Sequence, residues 1–300
     1  MSIFRFDSRF ATRRIVPARN IIRRTTGGLA ITLLSSLLGS FSLSNSAIAQ
    51  LTLKTTATAT EFAQLSSTLE FVPPPLPSRG RPRGRSNGTA SRGSCELTGQ
   101  LPLTALVPVT QVTSETTGAR GVNITYDSVF SLTTQANPTF WFYVPYQLAD
   151  TPLEFVLQDE QNQTLYQSIY QPSPEDSGEG VIRVQIPEGE LALAEGDRYH
   201  WFFMAYCDKN APSFVEGWIE RSAAVPSVET SPQEIARTYA QNGIWQDALT
   251  LVGEQVIAGE ANALSDWEAL LSSVGLEAIA DQRLLDCCEF QSTALKPSNP

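Results

Sequence analysis

The segment that most restricts the fold is Tyr199–Tyr206, which reads Tyr-His-Trp-Phe-Phe-Met-Ala-Tyr. A strand with one solvated face alternates apolar and polar residues, whereas this segment is apolar on both faces. We therefore predict that Tyr199–Tyr206 forms a central strand of a β-sheet. A central strand requires neighbours, so other parts of the chain have to supply further strands.

Those neighbours are predicted between Ser94 and Ala224. Five further runs are rich in strand-forming residues or alternate apolar and polar ones: Phe140–Val144, Leu153–Leu157, Thr164–Ile169, Val181–Ile186 and Phe214–Ile219. Turn residues at Asp159–Asn162 predict a hairpin between two of these runs. Many short strands separated by turns are typical of a β-sandwich, which we predict for residues 94–224.

The kind of sandwich is indicated by the spacing of Leu193, Gly196 and Tyr199. This spacing is similar to the approach to the sixth strand in immunoglobulin- and fibronectin-like sandwiches. In those folds a tyrosine hydroxyl hydrogen-bonds back to the backbone at the corner. We expect Tyr199 to make such a bond.

The pattern becomes helical after Pro226, and residues 228–290 predict a short helical domain. Ser231 and Ser265 each suit the N-cap of a helix, and Gly275 suits the end of the second one. Residues 238–249 match the consensus of a tetratricopeptide helical hairpin, with its turn at Gly243. The expected fold class is therefore α+β and multidomain: an immunoglobulin/fibronectin-like β-sandwich followed by a short tetratricopeptide-like helical domain.

The remaining segments are predicted to lie outside the folded core. Residues 1–49 run from basic to apolar to small residues ending at Ala49, the pattern of a cleaved signal peptide; an uncleaved membrane anchor is the alternative. Residues 50–93 are predicted to be a disordered linker rich in Pro, Arg and Gly, and residues 291–300 a flexible tail. We expect a periplasmic, cell-surface or secreted protein with no transmembrane segment after signal cleavage.

The charge of the folded part restricts its partners. Residues 94–300 contain eight basic and 28 acidic residues, a formal net charge near −20. Such a surface repels phosphate backbones, so nucleic acid is not expected to bind. A protein partner in the cell envelope is expected instead, with a polysaccharide as a further option.

Four cysteines are present: Cys95, Cys207, Cys287 and Cys288. In an exported chain they are expected to form disulfides. A bond between Cys287 and Cys288 would close a strained eight-membered ring, so we predict that each of them bridges to Cys95 or Cys207. These bridges would fasten the C-terminal tail to the sandwich. The alternative is a redox-active or soft-metal dithiol at Cys287 and Cys288.

Few residues suggest catalysis or ligand binding. His200 is the only histidine, so any Ser/His/Asp or Cys/His arrangement must use it, and we expect it to be packed or to line a surface. Trp141, Tyr143, His200 and Trp201 are candidates for a ligand-stacking platform, with core packing as the alternative. Carboxylate oxygens in acidic turns such as Asp159–Glu160 could coordinate calcium, but their spacing matches no calcium-binding loop. We therefore expect neither a metal site nor a cofactor.

Six ordered motifs resemble those of one family. They are Phe140–Tyr146, Glu154–Glu160, Arg198–Trp201, Phe214–Ile219, Asn242–Leu249 and Asp286–Cys288. The chain resembles the cyanobacterial family called domain of unknown function 928 over roughly residues 79–288. The resemblance implies an exported cyanobacterial protein, and it transfers no functional residues because the family has none defined.

These observations predict an exported, non-catalytic protein-interaction or scaffold module of the cell envelope. Sandwiches and tetratricopeptide-like hairpins commonly present binding surfaces rather than reactive groups, so the prediction rests on fold class. The alternatives are an envelope polysaccharide-binding module and a thiol-active or hydrolytic enzyme.

Overall fold

A computed structural model describes residues 69–77, 82–88, 101–115, 123–174, 178–208, 211–225 and 231–293. All of them belong to Phe62–Pro300, which forms one compact unit. This part of the chain is α+β, with eleven β-strands in two sheets and four α-helices towards its C-terminal end. The predicted signal peptide at residues 1–49 lies outside the described residues.

The strands form a four-stranded and a seven-stranded sheet. Their bounds are β1 Asn87–Gly88, β2 Leu103–Ala105, β3 Val109–Glu115, β4 Asn123–Thr133, β5 Thr139–Val144, β6 Leu153–Gln158, β7 Thr164–Tyr170, β8 Gly180–Gln185, β9 Arg198–Ala205, β10 Ser213–Arg221 and β11 Gln291–Ser292. The smaller sheet has the order β1-β2-β5-β8, and the larger has the order β11-β7-β6-β9-β10-β4-β3. Described neighbours pair antiparallel except β10 and β4, which are parallel.

The helices follow the last long strand. Their bounds are α1 Pro232–Gln241, α2 Trp245–Ile257, α3 Ala263–Ser272 and α4 Glu277–Ala280, and a 3₁₀ turn covers Leu148–Asp150. Ser231 caps α1 as predicted, because its hydroxyl accepts a hydrogen bond from the Glu234 N–H at 3.3 Å. The predicted cap at Ser265 is wrong, since α3 already begins at Ala263 after Asn262.

The sequence of β5 shows why the protein has three layers. All six of its residues are buried. Phe142 points towards the larger sheet and stacks on Phe203 of β9, with ring centroids 4.0 Å apart. Trp141 points to the opposite side, where its ring meets Trp267 of α3 at 5.8 Å. The four-stranded sheet is therefore the middle layer, with the larger sheet on one face and the helices on the other.

The prediction for β9 is confirmed. It lies fourth of the seven strands in the larger sheet, between β6 and β10. Tyr199 also makes the expected corner bond, because the Ala194 N–H donates to its hydroxyl oxygen at 2.9 Å. The predicted hairpin is present as β6 and β7, whose turn is held by Asp159 accepting from the Gln161 and Gln163 N–H groups.

Two parts of the predicted linker differ from a disordered chain. In residues 69–77, Phe71 is buried and its ring meets Trp245 edge-on at 5.0 Å. In residues 82–88, Arg85 exchanges two backbone hydrogen bonds of 2.9 Å with Glu216 of β10. A few apolar side chains and free strand edges order these pieces, although their surroundings are rich in Pro, Arg and Gly.

The C-terminal end is paired to the sheets as far as residue 293, so the start of the predicted flexible tail at residues 291–300 is ordered, whereas residues 294–300 lie outside the described residues. The Arg283 carbonyl and the Leu285 N–H both hydrogen-bond to Val181 of β8, at 2.7 and 2.8 Å. Further on, β11 pairs antiparallel with β7. The segment thus connects an edge of the smaller sheet to an edge of the larger one. Among the described helices, none has the length and apolar character needed to cross a membrane.

Candidate functional site

His200 lies on the face of the larger sheet that points away from the smaller sheet. Its imidazole stacks on the Trp218 ring, with centroids 4.4 Å apart and planes 7° from parallel. Its Nε2 is 3.2 Å from a Glu216 carboxylate oxygen, close enough for an ion pair if protonated, yet it makes no hydrogen bond. With its side chain 14% exposed, His200 is a packed residue at a sheet surface.

The predicted stacking platform is not assembled. Trp141, Tyr143 and Trp201 are each at most 1% exposed, so none of their rings can receive a ligand. Trp201 is buried between the sheets, whereas Trp141 is covered by helices and donates its Nε1–H to the Thr250 hydroxyl at 3.1 Å. His200 lies on another surface. The platform prediction is therefore wrong, because helices cover a sheet face that strand alternation alone leaves open.

The cysteine pairing also differs from the prediction. Cys287 and Cys288 are bonded to each other, with an S–S distance of 2.05 Å. Cys207 is disulfide-bonded as well, and Cys95 lies outside the described residues. The prediction that Cys287 and Cys288 each bridge to another part of the chain is therefore wrong. The tail is fastened by backbone pairing to β8 and β7, which removes the need for long-range bridges.

The Cys287–Cys288 bond borders a surface depression of about 680 Å³, which we call the tail depression. Cys288 is 9% exposed and has a left-handed backbone, with φ of 76°. Arg183 of β8 lies at the rim, where it pairs with Asp286 at 2.8 Å and with Glu254 of α2 at 2.9 Å. The depression therefore combines a disulfide with a network of charged groups.

The outer edge of β3 is a second candidate feature, and we call it the β3 edge. Strand β3 ends the larger sheet, and no described strand pairs with it on the side away from β4. Gln111 and Thr113 are exposed, and Val109 is 39% exposed. An unpaired edge presents a row of backbone N–H and C=O groups to the solvent.

A third feature is a cavity of about 330 Å³, which we call the helix–sheet cavity. It lies between the β4–β5 connection and helices α1 and α2. Its apolar lining includes Pro138, Ile235, Tyr239 and Leu251, and its polar lining includes Gln246 and Asp247. Ligand sites commonly occur at junctions of this kind, with a few polar groups in an apolar wall.

Asp247 of α2 fixes one side of this cavity. Its carboxylate accepts hydrogen bonds from the Thr133 hydroxyl at 2.5 Å, the Thr134 N–H at 3.0 Å and the Thr134 hydroxyl at 2.5 Å. The neighbouring Gln246 donates its Nε2–H to the Thr139 carbonyl at 2.7 Å, while its Oε1 is buried and accepts no hydrogen bond from the described residues. These contacts hold α2 against the end of β4 and the start of β5.

Tyr206 has a clearly raised pKa and lies on the face of the larger sheet that points away from the smaller sheet. Tyr206 donates its hydroxyl to Glu154 at 2.5 Å. Burial, followed by that hydrogen bond and the Glu154 charge, raises the pKa of Tyr206 to about 12. Such a phenol stays protonated at neutral pH and acts as a fixed hydrogen-bond donor.

The acidic turns do not gather into a metal site in the described part of the chain. Within it, no group of three or more His, Cys, Asp or Glu side chains is placed to hold a metal ion. Asp159 accepts bonds within its own turn, and Glu160 pairs with Arg198.

Sequence reasoning missed the β3 edge and the helix–sheet cavity. Residues Val109–Thr113 alternate weakly, since Thr and Gln occupy the positions between two valines. Gln246 and Asp247 fall inside the motif that was assigned to helix packing. Only the docking of α2 against Thr133 and Thr139 reveals their position beside a cavity.

These features define a class of protein: a three-layer α+β unit with two stacked sheets and C-terminal helices. A family model described as Domain of Unknown Function (DUF928) matches residues 87–284. The chain therefore belongs to this family, which confirms the family resemblance of its ordered motifs. No curated protein matches the sequence.

Proposed function

We propose that the chain is an exported, non-catalytic protein-interaction or scaffold module of the cell envelope. In this proposal the segment ending at Ala49 is a signal peptide and the source is cyanobacterial. The two sheets form an immunoglobulin/fibronectin-like sandwich, which the Tyr199–Ala194 bond supports. Helices α1 and α2 form a tetratricopeptide-like hairpin, which the turn at Gly243, with φ of 75°, supports.

The observation that carries the proposal is the β3 edge. Natural edge strands are commonly blunted by shortness, bulges, Pro or Lys. Strand β3 has seven residues, Val-Thr-Gln-Val-Thr-Ser-Glu, and its pairing with β4 has no register shift. Its first six residues contain no Pro and no charged side chain, so this part of the edge is suited to accept an additional strand. Addition of an extended segment to a sheet edge is an established mode of protein recognition.

The occupant that fits the β3 edge is an extended, neutral or basic segment of another protein. A formal charge near −20 over residues 94–300 opposes the approach of a second copy of this chain. We favour a protein over an envelope polysaccharide because backbone groups line this edge. Trp141 and Trp201, two of the rings predicted to stack on a ligand, are buried elsewhere.

Site-specific photocrosslinking tests the proposal. A photoreactive amino acid is placed at Gln111 or Thr113 of the full chain in its native host, with exposed Glu268 of α3 as the control position. We expect both β3 positions, and not Glu268, to crosslink to an extended segment of one other protein. A synthetic peptide of that segment should then slow hydrogen exchange of the β3 amides.

Two outcomes would contradict the proposal. A crosslinked product made of two copies of this chain would assign the β3 edge to self-association. Equal crosslinking from Glu268 and from the β3 positions would show that the contacts are not specific. The variant Thr113→Lys serves as an additional check, because a charged edge residue should weaken strand addition.

The Cys287–Cys288 bond favours a second candidate function, thiol–disulfide exchange. A dithiol would attack this bond through one thiolate, and the second thiol would then displace the mixed disulfide. The dithiol loses two electrons and two protons as its own disulfide forms, and Cys287 and Cys288 become thiols. The tail depression beside the bond gives an incoming thiol access.

Reduction of the folded chain by dithiothreitol tests this second candidate. Thiols are trapped by alkylation and assigned by peptide mass spectrometry over a series of redox buffers. The exchange function predicts that Cys287 and Cys288 are reduced while the Cys207 disulfide stays intact and the chain stays folded. Reduction of both disulfides together, only on unfolding, would exclude this candidate.

A further inference from the structure

We propose that the helix–sheet cavity binds a cationic group, a primary ammonium or a guanidinium carried on a short aliphatic stem. This site is separate from the β3 edge, so neither proposal depends on the other. The inference follows from the volume of the cavity, its unused acceptor and the charge of its lining.

The apolar wall fits an aliphatic stem. Ile235 and Tyr239 of α1 and Leu251 of α2 line the cavity from the helical side, and Pro138 lines it from the sheet side. A volume of about 330 Å³ is sufficient for a small molecule or for one long side chain of a partner. The Tyr239 ring adds a surface to which a cation is attracted.

An unused acceptor lies beside this wall. Gln246 is 1% exposed, and its Nε2–H is committed to the Thr139 carbonyl, which leaves Oε1 with no donor among the described residues. A buried acceptor without a partner costs about 1–3 kcal/mol. Oε1 itself is buried, so a ligand removes this cost only when the Gln246 side chain turns its oxygen towards the cavity, and such a ligand has to carry a donor.

Two amide groups of the lining already use donors. The Asn137 Nδ2–H donates to the Leu191 carbonyl at 2.5 Å, and the Gln135 Nε2–H donates to the Thr134 hydroxyl at 3.3 Å. A sugar brings acceptors as well as donors, and its acceptors would compete for these two amide groups. A ligand whose polar groups are all hydrogen-bond donors therefore matches the lining better than a sugar does.

The charge of the cavity lining favours a cationic ligand over a neutral ligand that carries the same donors. Asp247 and Glu254 are both in the lining, and the lining contains no Lys, Arg or His. Arg183 donates to both carboxylate oxygens of Glu254 at 2.9 Å and also pairs with Asp286, so one arginine faces three carboxylates around the cavity. With Arg183 counted, these carboxylates keep a net negative charge, which repels anions and attracts ammonium or guanidinium groups.

Four matched probes test the proposal on the full chain: n-butylammonium, n-butylguanidinium, n-butanol and n-butyrate. Binding is followed by NMR chemical-shift perturbation of residues around the cavity, such as Leu251 and Tyr239. We expect at least one cation to bind and to perturb these signals, with n-butanol roughly tenfold or more weaker and n-butyrate showing no binding. Equal binding of n-butanol and the cations would overturn the assignment of charge, and no binding of any probe at millimolar concentration would overturn the site.

Two variants and one control locate the binding. Glu254→Gln removes a carboxylate at the cavity and should weaken cation binding about tenfold. Leu251→Trp fills the cavity and should abolish binding, provided that circular dichroism shows a folded chain. Glu268→Gln removes an equal charge from the exposed face of α3 and should change nothing. The same loss with Glu268→Gln as with Glu254→Gln would show that the effect is general electrostatics and would overturn the proposal.

Discussion

Individual side chains on β5 and β9 are buried for two different reasons. Trp201 and Phe142 fill the space between the sheets, as alternation along a strand predicts. Trp141 points out of that space and is buried only because α2 and α3 cover it. The role of Trp201 is therefore readable from its own strand. The role of Trp141 depends on helices about one hundred residues further along the chain.

Gly217 is required because Trp201 lies against it. A Cβ at position 217 would meet Trp201 Cζ2 at 2.4 Å and Val129 Cγ1 at 2.6 Å. We expect Gly217→Ala to lower the free energy of unfolding by about 1–3 kcal/mol through overpacking, measured by urea denaturation. Gly189→Ala is the control, because a Cβ there meets nothing and only the left-handed backbone adds a cost. A loss below about 0.5 kcal/mol in Gly217→Ala would refute the role of the Trp201 contact.

Tyr206 should make stability depend on alkaline pH. Its pKa is raised from 10.0 to about 12, so the folded chain holds this proton more tightly than the unfolded chain. The stabilisation is complete below pH 10 and is lost as the pH rises towards 12. Burial also raises the pKa of Tyr143, Tyr146 and Tyr166, so spectrophotometric titration should show several late tyrosinate steps. The step of Tyr206 should be absent in Tyr206→Phe and shifted to lower pH in Glu154→Gln. An unchanged titration in Glu154→Gln would contradict the assigned cause.

Among the elements, the C-terminal segment shows best how pairing replaces covalent attachment. It bonds to Val181 of β8, passes the Cys287–Cys288 bond, and ends in β11 on β7. Phe290 adds a ring contact with Tyr170 at 5.9 Å. The cysteine positions in the sequence suggested long-range disulfides from this segment to the sandwich, but strand pairing already holds both of its ends.

Loss of the Cys287–Cys288 bond should therefore cost little stability. A disulfide stabilises mainly by closing a loop in the unfolded chain, and adjacent residues close almost none. We expect Cys287→Ser combined with Cys288→Ser to change the free energy of unfolding by less than about 1 kcal/mol. The measurement is chemical denaturation of the double variant, with Cys207→Ser as the comparison for a disulfide elsewhere in the chain. A loss above about 3 kcal/mol in the double variant would contradict this expectation and show that these cysteines hold the C-terminal segment in place.

At the scale of the whole molecule, the helices and the sheets form a single unit through polar anchors as well as apolar packing. Trp245 of α2 donates its Nε1–H to the Leu106 carbonyl at 2.8 Å, and Asp247 receives three donors from Thr133 and Thr134. These groups come from positions more than one hundred residues apart in the chain. They explain why Phe62–Pro300 is one compact unit.

Removal of the Asp247 anchor should destabilise the entire unit. Asp247 is 6% exposed, and Asp247→Ala would leave its three donors without a partner at a buried junction. We expect a loss of about 2–4 kcal/mol in a single cooperative transition, measured by calorimetry. Separate melting of a helical and a β part would contradict the single unit. Asp266→Ala, a half-buried carboxylate on α3, is the matched control and should cost less.

The sequence by itself determined the elements whose periodicity is local: the central strand β9, the β6–β7 hairpin, the α1 cap at Ser231 and the Tyr199 corner bond. Each depends on residues within a few positions of one another, so alternation, capping and turn chemistry suffice. Only the tertiary structure decided the burial of Trp141, the ordering of residues 69–77, the Cys287–Cys288 pairing and the helix–sheet cavity. These depend on which surfaces meet, and long-range packing between α2 and β5 leaves no periodic signal in either segment.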